Sequence, residues 1–357
     1  LGILGNLGVL GYFKYTNCLL ENINILFGTS VGALAILLPL GISFFTFQQI
    51  AYLVDAYRGE AEPYSILEYA VYVTFFPCVA SGPIAFHSEV IPQIRAQVGR
   101  RASGQELAEG LWLFSLGMWK KVIVAQTFGA ATDWGYSSLA ALDSTSALVV
   151  AVCYSFQLYF DFTGYTDMAR GIGRMLGVTL PENFDAPYRA LTIRGFWKGW
   201  HMTMTRFFTR YLFIPLGGSR RGTARTCLNI MIIFLVSGLW HGADWSFVLW
   251  GGIHGAAMVA DRLLGSRVER LHPALSWALT FGFVTFAWIF FRAPDVTSAL
   301  DLCGTIAQCS FGPLPPELLS QFHLPEETWL VRMLGLDFSR VALLMLLIFM
   351  AFAFLFC

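Results

Sequence analysis

Apolar residues run along this chain in blocks too long for an ordinary soluble core. A helix needs about 20 mostly apolar residues to cross the hydrocarbon of a bilayer. Such stretches lie at 1–13, 28–50, 67–86, 107–130, 146–163, 225–242, 244–263, 275–292 and 340–357. They predict an all-α polytopic membrane protein with about nine transmembrane helices in one transmembrane domain over 1–357. The first and last stretches begin or end inside apolar runs, so the chain reads as a fragment truncated at both ends. Pro39, Gly41, Pro77, Gly82 and Pro83 fall inside predicted spans. They predict kinked or broken helices, which a membrane tolerates only where neighbours re-satisfy the freed backbone groups.

Between 181 and 222 the pattern changes. Phe196, Trp197, Trp200, Phe207, Phe208 and Tyr211 alternate with Arg194, Lys198, Arg206 and Arg210. That mixture is too polar to span and predicts an amphipathic or re-entrant segment from Ile193 to Leu212. Residues 170–225 hold ten basic residues against Glu182 and Asp185, which predicts a cytoplasmic location. Alternating outward puts Arg95, Arg100, Arg101, Arg262, Arg267 and Arg270 inside. The loop of Arg58, Glu60 and Glu62 is expected outside, as is 293–339 with Asp301, Glu317, Glu326, Glu327 and Asp337.

Composition sharpens this picture. Hydrophobic residues make up 56% of the chain and charged residues 13%, where a soluble domain carries about 25% charged residues. Net charge is zero, which gives no reason to expect a nucleic-acid partner. The seven cysteines show no metal-ligand spacing, and no metal is expected. Cys303 and Cys309 share an expected outer loop, which leaves a disulfide open there.

Chemistry must come from polar groups set among the apolar runs, because ionisable residues at membrane depth are functional candidates by default. His241 ends one long apolar run and precedes another. It reads either as a general base or as a core histidine bonded to Asp244 or a backbone carbonyl. His201 lies in the amphipathic segment, as a donor-side group or an interfacial side chain. His254 sits among small residues and suits helix packing. His87 follows the Pro83 break and stays ambiguous, while His272 and His323 fall in loops. Asp167, Arg170 and Arg174 are spaced for ion pairs on one helix face. Asp161 is deeper and has no such partner, so it is the stronger functional candidate. Lys120 and Lys121 sit inside the 107–130 run, either snorkelling to an interface or facing a cavity. No nucleophile elbow, P-loop or dinucleotide fingerprint is present.

The long motifs resemble the membrane-bound O-acyltransferase family, in its alginate O-acetyltransferase branch. They are LGISFFTFQQIAYLVDAYRG (40–59), FFPCVASGPI (75–84), YSFQLYFDFTGYTDMARGIGRMLGVTLPENFDAPY (154–188), FWKGWHMTMTRFFTRYLFIPLGG (196–218) and SGLWHGADWSFVLWGGIHG (237–255). They define a motif-bearing core over 40–255. The resemblance implies a core with a central tunnel, His241 and His201 as catalytic, and Tyr159, Asp161, Asp167, Trp200, Trp240 and Asn183 as supporting residues of the tunnel. Gly199 and Gln126 depart from the family's usual basic and acidic residues at their positions. It also implies an acyl thioester co-substrate (acetyl-CoA or a carrier-bound acyl group), no permanently bound cofactor, and a multi-pass place in a bacterial inner membrane in contact with membrane lipid. The expected acceptor is an extracytoplasmic polysaccharide such as alginate, reached with periplasmic SGNH-type partner proteins. D-alanyl transfer to teichoic acid remains an alternative, as does a non-enzymatic polysaccharide transporter, flippase or scaffold component.

Overall fold

A computed structural model describes residues 1–268, 271–322, 333, 335 and 337–357. His323, Arg270, Glu326, Glu327 and the side chain of Arg267 lie outside that description. Among the described residues every regular element is helical. Among the described residues four helices are long and apolar enough to cross a membrane: Ser144–Met175, Thr223–His241, Pro273–Arg292 and Phe338–Phe356. They match four of the stretches expected from hydropathy. The residues fall into two compact units.

The first unit holds Leu1–Gly117, Tyr165–Phe184 and His201–Gly255. Its first helix, α1 (Gly2–Phe27), runs well past the stretch 1–13 and continues through Lys14 and Asn17. The expected span at 28–50 does not form. Helix α2 begins only at Ile42 and runs to Tyr57. Gly41 sets that boundary, because its φ is +73° and a Cβ there would lie 2.2 Å from the Val79 carbonyl oxygen. Only glycine fits both the left-handed backbone and the close approach.

The expected span at 67–86 is not a span either. Ser65 starts a new helix, α3 (Ile66–Val73), through a capping box: its Oγ accepts from the Glu68 N–H, while Glu68 accepts from the Ser65 N–H. The chain stops at Thr74, forms the single turn α4 (Phe76–Val79) around Pro77, and then lies irregular until α5 (His87–Gln97). Tyr72, Phe75, Cys78, Ala85, Val90, Ile91, Val178 and Leu180 pack this broken segment into a core. The Tyr72 hydroxyl, fully buried, donates to the Ala85 carbonyl at 3.0 Å. Pro77 and Pro83 are part of the physical reason, since each lacks the N–H that the helical ladder of a crossing needs, and at Gly82 the chain folds back so tightly that a Cβ would lie 2.1 Å from the Pro77 carbonyl oxygen.

Breaking that span changes the topology. Arg210 pairs with Glu60 at 2.7 Å, and Arg95 pairs with Glu62 at 3.1 Å. An ion pair cannot reach across a hydrocarbon layer about 30 Å thick. The Glu60–Glu62 loop therefore shares the side of the basic segments, opposite to the expectation from alternating crossings. Asp55 anchors this corner. It is 1% exposed and accepts from the Tyr211 hydroxyl (2.8 Å) and from His87 Nε2 (3.1 Å), with Arg210 also at 3.1 Å. Tyr64 completes the chain by donating its hydroxyl to His87 Nδ1 at 2.9 Å. His87, ambiguous in sequence, links two segments of the broken region.

Further along the chain, helix α6 (Gly104–Trp119) precedes a π-turn over Lys120–Ala125 and α7 (Gln126–Ser137). The long helix α8 (Ser144–Met175) follows. Arg170 lies 3.8 Å from Asp167, as the spacing suggests, but Arg174 turns instead to Glu109 at 2.9 Å. Short helices α9 (Ile193–Gly199) and α10 (Met202–Phe208) form the amphipathic segment. Helices α11 (Thr223–His241) and α12 (Trp245–Val268) then pack backbone to backbone. A Cβ on Gly238 would sit 2.3 Å from the Phe247 carbonyl oxygen, and one on Gly251 would sit 2.3 Å from that of Phe234. Small residues permit such contact in membranes. Gly238→Val is expected to push the two helices apart and abolish accumulation of folded protein, read as loss of the monodisperse peak in detergent chromatography. A wild-type peak would contradict this packing.

The second unit holds Met118–Gly164, Asp185–Trp200 and Ala256–Cys357. Its core is aromatic and centred on buried Tyr188. The Tyr188 hydroxyl donates to the Ser155 carbonyl (2.8 Å) and accepts from Trp288 Nε1 (3.1 Å), while Trp277 Nε1 donates to the Tyr188 carbonyl (2.9 Å). Helix α13 (Pro273–Arg292) carries both tryptophans, and its start is capped by His272. Helix α14 (Val296–Ala307) is capped by Asp295, and α15 (Pro316–Ser320) precedes the C-terminal helix Phe338–Phe356. Cys303 and Cys309 are free thiols, so the disulfide left open by the sequence is absent. Cys303 lies within α14, and Cys309 follows that helix with a left-handed φ of 52°.

Candidate functional site

The last turn of α11 gathers the site in the first unit. Trp240 lies in that turn, 7% exposed, with its indole stacked on Phe47 at 4.9 Å and met edge-on by Phe44 at 5.4 Å. Phe47 in turn stacks on Phe207 at 4.1 Å. This apolar stack fixes the Trp240 ring, and two imidazoles flank it. The ring of His241 is 4.7 Å from Trp240 and that of His201 is 6.4 Å away. The two histidines, forty positions apart in sequence, thus share one tryptophan.

His201 is 1% exposed and stands in the left-handed region, with φ 43° and ψ 55°. A non-glycine residue there carries strain that the surroundings must hold. Asn183 holds it. The Asn183 backbone carbonyl accepts from the Met202 N–H at 2.9 Å. Its side-chain oxygen accepts from the Thr203 hydroxyl (2.6 Å) and the Thr203 N–H (3.2 Å), and contacts His201 Nδ1 at 3.3 Å. Because that oxygen can only accept, His201 Nδ1 carries the proton and donates to it. In the neutral ring the lone pair then falls on Nε2. Thr203 also accepts from the Ile84 N–H at 2.9 Å, which ties the site to the broken segment after α4.

His241 differs in access. It ends α11 and is half-buried, against the fully enclosed His201. Its ring meets Trp250 edge-on at 5.1 Å, and Trp250 meets His254 at the same distance. His254 is fully buried and also stacks near Phe234, as a packing residue would. Asp244 caps α12, its Oδ1 accepting from the Ser246 N–H at 2.7 Å.

The remaining sequence candidates lie elsewhere. Asp167 and Glu182 both contact Arg170 (3.8 and 2.7 Å), which anchors the chain next to Asn183. In the second unit, Asp161 is not alone as the sequence suggested. Lys121, on the π-turn, is its ion-pair partner. Both groups are partly exposed, and π-turns often accompany functional sites. Tyr159 and Trp200 belong to that unit's aromatic core, 6.4 Å apart, with Trp200 stacked on Phe196 at 5.5 Å. Sequence reasoning missed Thr203 and Phe47, which hold His201 and Trp240. The signals were an aromatic and a hydroxyl residue inside long motifs, too common to single out. Among the described residues no group of three or more His, Cys, Asp or Glu side chains is arranged to hold a metal ion.

Comparisons with known proteins agree with the motifs. The chain is 40% identical over 331 residues to the peptidoglycan O-acetyltransferase of Helicobacter pylori, covering 85% of this chain and 63% of that protein. It is 38% identical over 305 residues to the Pseudomonas aeruginosa protein named "Probable alginate O-acetylase AlgI", covering 84% and 58%. It is 27% identical over 241 residues to the teichoic acid D-alanyltransferase of Streptococcus thermophilus, covering 64% and 58%. The chain thus spans about three fifths of the length of these curated relatives. A family model described as "MBOAT, membrane-bound O-acyltransferase family" matches residues 56–298. With that match over most of its length, and the two histidines joined at Trp240, the chain belongs to the membrane-bound O-acyltransferase family.

Proposed function

We propose that this protein is a multi-pass enzyme of the bacterial inner membrane that transfers an acyl group, acetyl foremost, from a cytoplasmic thioester towards hydroxyls of an extracytoplasmic polysaccharide. The observation that carries this reading is the pairing of His241 and His201 on Trp240, with His241 the less buried of the two. His241 is the general base. It takes the proton as the acceptor oxygen bonds to the acyl carbon, the carbon–sulfur bond breaks, and the proton passes to the departing thiolate. General-base help contributes roughly 10²–10⁴-fold. Positioning in a tunnel shielded from water supplies much of the remainder. His201, enclosed and held by Asn183, supports Trp240 and the neighbouring imidazole.

The relatives named for O-acetylation align at higher identity than the D-alanyltransferase, which favours acetyl over D-alanyl. The thioester is acetyl-CoA or a carrier-bound acyl group. Final transfer to the polymer passes through a periplasmic SGNH-type partner. The test is a reconstituted membrane system given acetyl-CoA with labelled acetyl, polymer and the partner. Label appearing on polymer hydroxyls with equimolar thiol release is the expected result. Label from a D-alanyl carrier in its place would establish the aminoacyl variant, and movement of polymer without any label transfer would defeat the enzyme reading.

A further inference from the structure

Helix α1 brings two side chains to the end of the helix that bears His241. Lys14 Nζ donates to the Trp240 carbonyl and lies 3.5 Å from Ser43 Oγ. It also sits 5.8 Å from the centroid of the Trp240 ring. Next to it, the Tyr15 hydroxyl donates to the Leu239 carbonyl. The Gly238 carbonyl accepts from the Gly242 N–H at 3.3 Å. Three consecutive carbonyls at this helix terminus are therefore satisfied, two of them by α1. A helix leaves its last four carbonyls without intrahelical donors, and in a membrane no bulk water replaces them. The same terminus carries the negative end of the helix dipole, which favours a cation.

Lys14 costs more than a cap requires. A charged ammonium among apolar residues is costly to desolvate, and Tyr15 shows that a neutral hydroxyl can do the capping. Among the described residues no carboxylate pairs with Lys14. Its charge is instead directed at the carbonyl of the peptide that joins Trp240 to His241.

We propose that Lys14 is a positioning residue for the acyl transfer: its ammonium fixes the Trp240–His241 peptide and holds the His241 imidazole in its reactive orientation beside Trp240. The role rests on His241 being the base. It lies outside the region matched by the family model, which begins at residue 56.

The test compares Lys14→Met, Lys14→Arg and Tyr15→Phe in the full chain, with kcat, donor KM and thermal unfolding measured for each. A displacement of about 1 Å at a reacting group costs on the order of 10²-fold. Lys14→Met is expected to lower kcat per folded molecule 10–100-fold, on that scale, with donor KM unchanged. Lys14→Arg is expected to restore kcat to within a few-fold of wild type, and Tyr15→Phe to leave kcat nearly intact. A Lys14→Met protein with wild-type kcat would overturn the proposal. So would a loss of activity that tracks the folded fraction, or an equal loss in Tyr15→Phe, since either marks simple helix capping. His241→Ala in the same assay separates the two levels. If it retains full transfer, the base assignment itself fails. If it is inactive while Lys14→Met is not, only the role of Lys14 falls.

Discussion

Replacing His241 with Ala is expected to lower acyl transfer by roughly 10²–10⁴-fold, the range that general-base assistance contributes. The fold should survive the change. His241 is half-buried at the end of α11, so its truncation leaves no closed cavity. Trp240 stays stacked on Phe47, and the Gly238–Gly251 crossing is untouched. Label transfer and detergent chromatography on the same preparation would check both halves. Full activity would remove His241 from the chemistry, and an aggregated variant would show that the imidazole supports the fold. His201→Ala should behave differently. That residue is enclosed, left-handed and bonded to Asn183, so its loss should lower stability together with activity.

The second large effect is on stability. Asp55→Leu is expected to destabilise the first unit by about 3–5 kcal/mol, the usual result of removing one partner from a buried ion pair. Asp55 gathers His87, Tyr211 and Arg210 while 1% exposed, and leucine would leave all three facing an apolar group. Glu62→Ala offers the contrast. Its pair with Arg95 is 70% exposed on the glutamate side. Its loss should cost no more than about 1 kcal/mol. Thermal unfolding in one detergent would rank the two. Equal midpoints would mean that the Asp55 corner is not what holds the broken segment in place.

Both predictions rest on contacts that differ in how far the sequence revealed them. The hydropathy pattern alone required a helical membrane protein, because only helices and closed barrels satisfy their backbone in lipid and the long unbroken runs do not alternate. The four helices Ser144–Met175, Thr223–His241, Pro273–Arg292 and Phe338–Phe356 lie where those runs predict them. His241 and His201 were visible as polar groups in long motifs. Their meeting at Trp240 was not, since forty residues separate them and composition carries no distances.

Some local signals were present but could be weighed only once the chain was folded. Pro77, Gly82 and Pro83 announced a break at 67–86, yet whether the segment still crossed depended on Arg95 and Arg210 finding Glu62 and Glu60. Lys121 and Asp161 each stood out as a charge among apolar residues, and their pairing depends on a π-turn that no periodicity reports. Lys14 falls just past the apolar stretch 1–13, because a charge lowers hydropathy whether it meets lipid or a helix terminus. Hydrophobic pattern is a one-dimensional record of which faces avoid water, so the sequence by itself determined the class, the apolar helices and the residue types available for chemistry. Which polar groups face one another, and which loops share a side of the membrane, follow from how helices pack. Only the tertiary structure decided those.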